Sequence, residues 1–516
     1  MPKAQNPILP GFYPDPSICS VGDDFYLINS SFGYFPGVPV FHSKDLAHWE
    51  QIGNVLTRPS QARLGKDLDV AFQGIFAPTL RYHNGTFYMI TTNVGGGGNF
   101  IVTAADPAGE WSEPFFLEGA DGIDPSLFFD EDGKCYYTGT KSKDKPQFWG
   151  DNVIYCRELD LGQMKFVGEE HIIWDGSAKQ VEWAEGPHLY RRGDYYYIMI
   201  AEGGTGLSHA ITVARSKSLF GPYENNPNNP ILTHRHLGMK YPVRYVGHGD
   251  LFCTADGWYL VTLASRQKRG YTSIGRETFL AKVEWENDWP VVNPGIGKIS
   301  DELEIGLPED DEYEPAGPVI RFDTGELDAR LVGIRNPEDE FYSLSRVPNR
   351  LSLKCKKAAL GEKGCMSYLG VRQQSFDFEA YAQMHFSPKE GESAGLVLLQ
   401  NDIYYLSFLM TNDAGARTLA VSLCVNGNRF VLSTMGIDSD DVELYLNGHD
   451  LKVDCSFAVN DVKKNMVCNI DTLELTTERA GGFVGCTVGM YASSNGAESD
   501  NYAEFIRFSY GGATQC

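Results

Sequence analysis

The sequence lacks several features that would place it in other classes of protein. No apolar run comes near the ~18 residues that a membrane-spanning helix needs. No Cys-x-x-Cys or Cys/His pattern typical of a zinc site occurs. Basic residues are few, with 44 Lys and Arg against 68 Asp and Glu, and the net charge is −24. This charge argues against nucleic acid or an anionic membrane as a partner.

The cysteines and the N-terminal segment favour a cytoplasmic location. The 11 cysteines are an odd number and are scattered, which is typical of reduced thiols in a cytosolic protein. Seven of them follow residue 350, so a disulfide in that part stays an alternative. The first residues, MPKAQNPILPGFYPDP, contain no apolar stretch of a secretory signal. We therefore expect a cytoplasmic protein, and the earlier removal of a signal segment is the alternative.

A repeat in the first part of the chain is the main feature that the sequence does contain. Its copies start at positions 15, 77, 124, 185 and 248, with steps of 62, 47, 61 and 63 residues. Each copy has a polar lead-in, an apolar residue, a tight turn such as Asn84-Gly85, and an aromatic-rich strand such as YYYIMIA. Such a period suits one four-stranded blade with its loops. The repeat therefore predicts a five-bladed β-propeller.

The remainder of the chain predicts a second β-domain. At 516 residues the chain is too long for one ordinary core. The stretch LPEDDEYEPAGPV is acidic and holds three prolines, which is typical of a linker. Later runs such as FEAYAQMHF and IYYLSFLM indicate antiparallel strands with one wet face. We predict an all-β protein with a propeller over 1–305, a linker over 306–320 and a β-sandwich over 321–516.

Three copies of the repeat carry an acid at its first position. The first positions are, in order, Asp15, Ala77, Asp124, Glu185 and His248. In equivalent blades these positions meet at one end of the axis, and converging carboxylates are what acid–base hydrolysis of a glycoside needs. A single Asp-Pro is more often a turn former, but the trio favours catalysis. Glu185 stands four residues before the apolar Leu189, where other copies have three, which predicts a one-residue bulge.

The chain resembles glycoside hydrolase family 43, the propeller β-xylosidases and α-L-arabinofuranosidases. The segments that carry the resemblance include NPILPGFYPDPSI, GIFAPTLRYHNGTFYMITT, GIDPSLFFDEDG, EGPHLYRRGDYYYIMIAEGGT and GRETFL. The C-terminal part resembles the concanavalin A-like, or jelly-roll, β-sandwich that follows the propeller in many β-xylosidases of this family. Its closing GMYASS and AEFIRFSY belong to that likeness. The resemblance covers nearly the whole chain.

The resemblance implies an inverting glycosidase that requires no cofactor. Asp15 matches the general base that activates water, and Glu185 matches the general acid that protonates the leaving oxygen. Asp124 matches the carboxylate that orients the acid and keeps its pKa high. Inversion needs a water between base and sugar, so those two carboxyl groups are expected roughly 6.5–9.5 Å apart.

Four further residues are expected near the sugar because of the resemblance. Arg276 matches a pocket arginine, with a surface salt bridge as the alternative. Phe32 and Phe76 match aromatic walls of the sugar subsite, although Phe76 stands where relatives commonly have Trp and either ring could be core packing. His248 matches a histidine that in relatives binds water or a central Ca²⁺ ion at the propeller axis. A buried core histidine is the alternative for His248.

The expected activity is release of terminal β-D-xylose, α-L-arabinofuranose or both from short xylo- and arabinoxylo-oligosaccharides, with the sandwich narrowing the pocket mouth. A predominantly α-L-arabinofuranosidase activity is one alternative, because the sequence does not separate the two sugars. A catalytically silent sugar-binding propeller is another, and the intact acidic trio argues against it. A retaining fructosidase would carry an Arg-Asp-Pro motif, which this chain lacks. Relatives often form dimers or tetramers, so the resemblance implies a homo-oligomer, with a monomer as the alternative.

Overall fold

Strands make up nearly all regular structure in the computed structural model, which describes residues 2–512. Helix in that range is confined to α1 (Pro59–Ala62), α2 (Thr477–Ala480) and one 3₁₀ turn at Leu473–Leu475. Neither helix of this range has the length and apolar content that crossing a bilayer takes. The chain is therefore an all-β protein, as the strand patterns predict. Met1 of the predicted propeller and 513–516 of the predicted sandwich lie outside the described residues.

The first part of the chain folds into short antiparallel strands joined by tight turns. In chain order they are β1 (Lys3–Gln5), β2 (Ser17–Val21), β3 (Asp24–Ile28), β4 (Tyr34–Phe35), β5 (Gly37–Ser43), β6 (Glu50–Leu56), β7 (Gly74–Ile75), β8 (Thr79–His83), β9 (Thr86–Val94), β10 (Gly98–Ala104), β11 (Phe115–Phe116), β12 (Ile123–Phe129), β13 (Cys135–Ser142), β14 (Asn152–Asp160), β15 (Lys165–Trp174), β16 (Glu185–Arg192), β17 (Tyr195–Glu202), β18 (Ala210–Ser216), β19 (Glu224–Asn225), β20 (Val243–Thr254), β21 (Gly257–Arg266), β22 (Glu277–Glu286), β23 (Trp289–Val292) and β24 (Glu302–Glu304). The aromatic-rich runs of the repeat form the second strand of each hairpin.

Five sheets arise from these strands, and each uses consecutive segments of chain. Their members are β2-β3-β5-β6, β7 to β11, β12 to β15, β16 to β19, and β20 to β23. The innermost strands are β2, β8, β12, β16 and β20; each packs against the next, and β20 packs against β2. Sheets that contact in this cyclic order surround one axis, which confirms the propeller prediction.

The N-terminal segment closes the ring against the last sheet. Strand β1 pairs with β24, with Lys3 opposite Glu304. The amide of Asn6 donates to the carbonyls of Leu280, at 2.8 Å, and Ser300, at 2.9 Å. Because β2 starts at Ser17 in the same segment of chain, these bonds help to hold the first sheet beside the fifth.

The second part of the chain is a sandwich of two antiparallel sheets. Its strands are β25 (Val319–Ile320), β26 (Gly333–Ile334), β27 (Tyr342–Ser343), β28 (Leu351–Lys354), β29 (Ser367–Arg372), β30 (Phe378–His385), β31 (Ser393–Asn401), β32 (Tyr404–Asp413), β33 (Ala416–Val425), β34 (Asn428–Gly436), β35 (Asp441–His449), β36 (Lys452–Val459), β37 (Val462–Asp471), β38 (Thr487–Ser493) and β39 (Tyr502–Gly512). One sheet has the order β27-β28-β39-β30-β35-β36-β37 and the other β29-β38-β31-β32-β33-β34. Alternating residues such as Leu396, Phe408 and Phe505 fill the core between them.

The sandwich packs directly on the propeller. Strand β26 pairs with β4 of the propeller, with Gly333 opposite Phe35. The buried Arg335 holds Asp402 at 3.0 Å and donates to the carbonyl of Leu68 at 2.9 Å. The backbone N–H of Phe483 donates to the carbonyl of Ala71 at 2.9 Å. Strand β26 follows the predicted linker and yet pairs with a strand of the propeller, so strand pairing does not mark where one domain ends. The domain limits at 305 and 321 therefore stay predictions.

Candidate active site

The predicted acids lie where the innermost strands begin. Asp15 stands two residues before β2, Asp124 is the second residue of β12, and Glu185 is the first residue of β16. Inner strands of a propeller run in the same direction, so their first residues meet at one end of the axis. The repeat thus brings together three carboxyl groups that are far apart in sequence.

The backbone at this end of the ring repeats a left-handed conformation. Asp15, Asp124 and His248 have φ of +52°, +53° and +40°, and Gly186 has +58°. Non-glycine residues adopt this region at a cost of about 1–3 kcal/mol, and such strain concentrates at functional sites. In β16 the left-handed residue is Gly186, so Glu185 precedes it by one residue. The pairing of β16 shifts register between Glu185 and His188, which confirms the predicted bulge.

One cavity of about 340 Å³ collects the predicted site residues. The sequence predicted seven residues of its wall, namely Asp15, Phe32, Phe76, Asp124, Glu185, His248 and Arg276. Further wall residues are Ala77, Ile123, Trp183, Gly204, Thr205, His209 and Phe483. Ala77 is the first residue of the second repeat copy, so all five copies place a residue at this cavity. A cavity of this size holds a small sugar rather than a long stretch of polymer.

Asp15 is a buried carboxylate with three polar neighbours. Its Oδ1 accepts from Nη1 of Arg276 at 3.0 Å, and its Oδ2 accepts from the Ser30 hydroxyl at 2.5 Å. Nδ1 of His248 lies 3.8 Å from Oδ1. Burial by itself raises the pKa of Asp15, but Arg276 and the other neighbours more than offset this and hold that pKa below its ordinary value. Asp15 is therefore ionised at neutral pH.

Asp124 and Glu185 are tuned in the opposite direction. Burial raises the pKa of Asp124 to about 6, and the charge of Asp15 adds to the rise. Burial raises the pKa of Glu185 well above its ordinary value, with further increases from the charges of Asp124 and Asp15. Oδ2 of Asp124 accepts the backbone N–H of Gly186 at 3.0 Å, which fixes Asp124 beside the acid. Burial and these two like charges therefore favour the protonated form of Glu185.

Aromatic rings enclose the other side of the cavity, and one of them comes from the sandwich. Phe32, Phe76 and Phe483 form a cluster whose ring centroids lie 5.0 to 5.9 Å apart. Phe32 is nearly fully buried, so it serves both the core and the wall. Sequence reasoning missed Phe483, because a Gly-Gly-Phe-Val-Gly turn in a sandwich carries no signal that it reaches a propeller. Trp183, also missed, stands two residues before Glu185.

His209 is a second histidine of the wall that sequence reasoning missed. Burial lowers its pKa to about 3, so the ring is neutral. Its Nδ1 donates to the carbonyl of Tyr245 at 3.0 Å. The ring lies against Gly247, where a Cβ atom would stand 2.2 Å from Nε2. His209 lies in GGTGLSHAITVARS, and a histidine in a glycine-rich loop directly after the aromatic-rich strand β17 could have drawn attention.

An ion pair between protein groups lies among the innermost strands. Nη1 of Arg81 on β8 lies 2.7 Å from Oδ2 of Asp250 on β20, and Nη2 lies 3.1 Å from Oδ1. The hydroxyls of Ser17 and Tyr190 donate to the same carboxylate, each at 2.7 Å. Nη2 of Arg81 also donates to Nδ1 of His188 at 3.0 Å, and burial lowers the pKa of His188 to about 3. The buried carboxylate near the axis is thus fully paired.

This arrangement does not fit the calcium ion that the resemblance implies at the axis. Calcium takes six to eight oxygen ligands, whereas the oxygens of Asp250 are committed to Arg81 and two hydroxyls. Within residues 2–512 no group of three or more His, Cys, Asp and Glu side chains is arranged to hold a metal. His248 lines the sugar cavity, but its charged neighbour, Asp15, is already held by Arg276. No catalytic step is assigned to a metal here.

An ionised carboxylate that shares a sugar-sized cavity with a protonated carboxyl group is equipment for hydrolysing a glycoside. Residues 4–290 match the family described as "Glycosyl hydrolases family 43". Residues 319–511 match the "Beta xylosidase C-terminal Concanavalin A-like domain". The chain therefore belongs to glycosyl hydrolase family 43, and it is a glycoside hydrolase.

Similar proteins extend over the full length of the chain. A "Xylosidase/arabinosidase" of Butyrivibrio fibrisolvens is 52% identical over 515 residues, which is 98% of each chain. A "Non-reducing end alpha-L-arabinofuranosidase" of Bacteroides ovatus is 39% identical and covers 98% of this chain and 94% of its own. The crystal structure of a xylan β-1,4-xylosidase from Bacillus halodurans superposes with a TM-score of 0.92 at 33% identity, covering 98% of this chain and 99% of its own.

Proposed function

We propose that the protein is an inverting exo-glycosidase that releases terminal β-D-xylose, α-L-arabinofuranose or both from xylo- and arabinoxylo-oligosaccharides. The observation that carries this proposal is the cavity of about 340 Å³ in which Asp15 is ionised while Glu185 is protonated. Opposite protonation of two carboxyl groups is what a base and an acid need at the same pH. The names of the similar proteins support both sugars.

Asp15 is proposed as the general base. Its carboxylate is held by Arg276 and Ser30, so it can accept a proton from a water that attacks the anomeric carbon. The positive charge of Arg276 keeps Asp15 ionised before the reaction and stays beside it as it becomes protonated. The water attacks from the side opposite the leaving group, so the anomeric configuration is inverted.

Glu185 is proposed as the general acid and Asp124 as its positioning partner. Glu185 donates its proton to the glycosidic oxygen as that bond breaks, which avoids a poor alkoxide leaving group. The charge of Asp124 raises the pKa of Glu185. Asp124 is held beside the acid because its Oδ2 accepts the backbone N–H of Gly186, the residue that follows Glu185. Phe32, Phe76 and His248 are proposed to contact the terminal sugar, with Arg276 donating to one of its hydroxyls.

The test combines rates with the stereochemistry of the first product. Xylobiose and an arabinofuranosyl xylo-oligosaccharide are incubated with the protein, and NMR identifies the anomer that forms first. We expect inversion, with Asp15→Asn and Glu185→Gln lowering kcat at least about 10³-fold. Asp130→Asn is the matched control, because Asp130 is a buried carboxylate bound to Arg191 and Tyr196 in a hairpin of the same sheet as Asp124. A retained anomer, or unchanged rates in Asp15→Asn, contradicts the mechanism.

We propose that the fit of the terminal sugar against the wall of the cavity determines the preference between xylose and arabinofuranose. Nitrophenyl β-D-xylopyranoside and α-L-arabinofuranoside have similar leaving groups, so their kcat/KM ratio reports the fit of the sugar. We expect both to be cleaved within about 100-fold of each other, because a small pocket separates similar sugars by only a few kcal/mol. Activity on the arabinofuranoside alone would support the α-L-arabinofuranosidase alternative.

Location and assembly are also proposals. Every cysteine within residues 2–512 is a free thiol, which a reducing cytoplasm preserves, so we propose that the enzyme acts there on imported short oligosaccharides. Fractionation of cells with an antibody to the protein tests the location.

Two copies are proposed to associate, because the edge strand β34 exposes Phe430 and Val431, at 54% and 58%. Light scattering that gives only the monomer mass of 57.3 kDa contradicts the association.

A further inference from the structure

Trp149 is the most exposed large hydrophobic side chain of the described residues, with 83% of its surface open to solvent. Single exposed apolar residues are common on proteins. An indole that is almost fully exposed is different, because Trp is usually highly buried and is the residue most enriched in binding hot spots. Because Trp149 lies beside the active-site cavity, its exposed ring is available to contact a bound ligand.

The indole of Trp149 backs directly onto the wall of the cavity. Its ring centroid lies 5.3 Å from that of Trp183, with an interplanar angle of 84°. Trp183 lines the cavity and stands two residues before Glu185. A saccharide whose terminal unit occupies the cavity would leave past the acid that protonates its glycosidic oxygen. Trp183 lines the cavity together with that acid, Glu185, and Trp149 contacts Trp183 while itself lying outside the cavity wall.

The loop that carries Trp149 is held in place by hydrogen bonds. The backbone N–H of Trp183 donates to the carbonyl of Gly150 at 2.8 Å, and a Cβ atom at Gly150 would stand 2.8 Å from the Trp183 ring. The carboxylate of Asp151 accepts the N–H of Gln147 at 2.9 Å and binds Nζ of Lys143 at 2.8 Å. Since the loop is tied at both ends, ordering the indole on binding takes little conformational entropy.

We propose that Trp149 forms an outer sugar-binding subsite for the units that follow the terminal sugar of the substrate. This inference rests on the proposed function, and it adds recognition of the leaving part of the chain. The ligand is a neutral oligosaccharide of pyranose units, whose flat C–H faces pack on an indole without any charged partner. Trp149 contacts the leaving units, whereas Asp15 and Glu185 act on the terminal one.

The experiment compares a substrate that lacks a second sugar with one that has several. Methyl β-D-xylopyranoside ends where the subsite begins, and xylotetraose extends across it. Trp149→Ala is expected to lower kcat/KM for xylotetraose about ten-fold, mainly through KM, and to change the methyl glycoside less than two-fold. Trp149→Phe is expected to keep most of the xylotetraose activity. If arabinose is the preferred sugar, the matching arabinofuranosyl pair is used.

Phe115→Ala is the matched control, because Phe115 is an exposed aromatic on β11, the outermost strand of its sheet, and is 45% exposed. Melting temperatures show whether each variant folds. Equal effects of Trp149→Ala on both substrates, or none on either, overturn the subsite while leaving the proposed function intact. A wild-type protein that cleaves neither pair of substrates contradicts the proposed function, and the subsite falls with it.

Discussion

Asp15 and Glu185 share one buried cavity, yet their pKa values move in opposite directions. Burial alone favours a higher pKa for both carboxyl groups, yet only that of Glu185 is raised. The difference comes from the neighbours, because Arg276 contacts Asp15 while Asp124 and Asp15 act on Glu185 as like charges. Two residues of nearly the same chemistry thus take different protonation states through their partners alone.

The pH dependence of kcat/KM follows from these directions. Asp15 must be ionised, so activity falls as the pH drops through its lowered pKa. Glu185 must be protonated, so activity falls as the pH rises through its raised pKa. Asp124→Asn removes one of the negative charges that raise the pKa of Glu185, so we expect the alkaline limb to move to lower pH. The pH profile of kcat/KM for variant and wild type measures this.

The control for that profile is the acidic limb. Asp124→Asn should leave the position of the acidic limb nearly unchanged, because Arg276, His248 and Ser30 are the groups that lower the pKa of Asp15. An alkaline limb that stays in place would show that Asp124 does not act on the acid through its charge. Apparent values from the profile belong to the coupled pair of Asp124 and Glu185.

Much of the residue-level site could be predicted from the sequence, for a physical reason. Asp15 and Asp124 stand three residues, and Glu185 four, before an apolar strand residue, and that offset sets where a side chain stands in a blade. Ser30 and Phe483 could not be predicted in the same way. Ser30 reaches Asp15 by a fold of the chain after β3, and Phe483 reaches the cavity through contact between the two domains.

At the scale of elements, the bulge at the start of β16 depends on one glycine. Gly186 has φ of +58°, and a Cβ atom there would stand 2.8 Å from Cε1 of His248. The spacing from Glu185 to Leu189 predicted the extra residue, because the apolar alternation of a strand fixes every other position. The spacing could not predict the close contact with His248, which leaves no room for a side chain at position 186.

Gly186→Ala is therefore expected to damage the site more than the fold. The left-handed backbone and the contact with His248 should displace the ring or the acid, lowering kcat at least about ten-fold and stability by about 1–3 kcal/mol. Gly193→Ala is the matched control, since Gly193 has φ of +57° in the same sheet and nothing lies within 4 Å of its added Cβ. Urea unfolding and kcat for both variants measure the difference. Equal loss of kcat in both would contradict the contact.

At the scale of the whole molecule, the ring is held together at its centre by Arg81 and Asp250. These residues come from the second and fifth sheets, and Ser17 from the first sheet bonds to the same carboxylate. The positive charge that pairs with Asp250 near the axis is therefore a side chain of the protein, Arg81, and not a bound metal ion. The position of Arg81 after the strand signal Thr79-Leu80 gave no hint of this role, because an exposed surface arginine has the same local sequence.

Chelation of metals is expected to leave the enzyme unchanged for this reason. After dialysis against EDTA, kcat/KM and the melting temperature should match those in added Ca²⁺, because Arg81 supplies the charge that Asp250 needs. Arg81→Met is expected to destabilise the fold by about 3–5 kcal/mol, since it leaves a buried carboxylate unpaired. A loss of activity with EDTA that Ca²⁺ restores would contradict the paired axis.

Phe483, which completes the cavity wall, belongs to the sandwich, and this constrains how such a protein can be rearranged. A propeller produced alone would keep its acids but would have an open side where Phe483 stands. Recombination that exchanges the sandwich for another domain would change the residue at this part of the wall, and sugar selectivity with it. The two modules therefore have to be inherited, swapped or engineered as one unit.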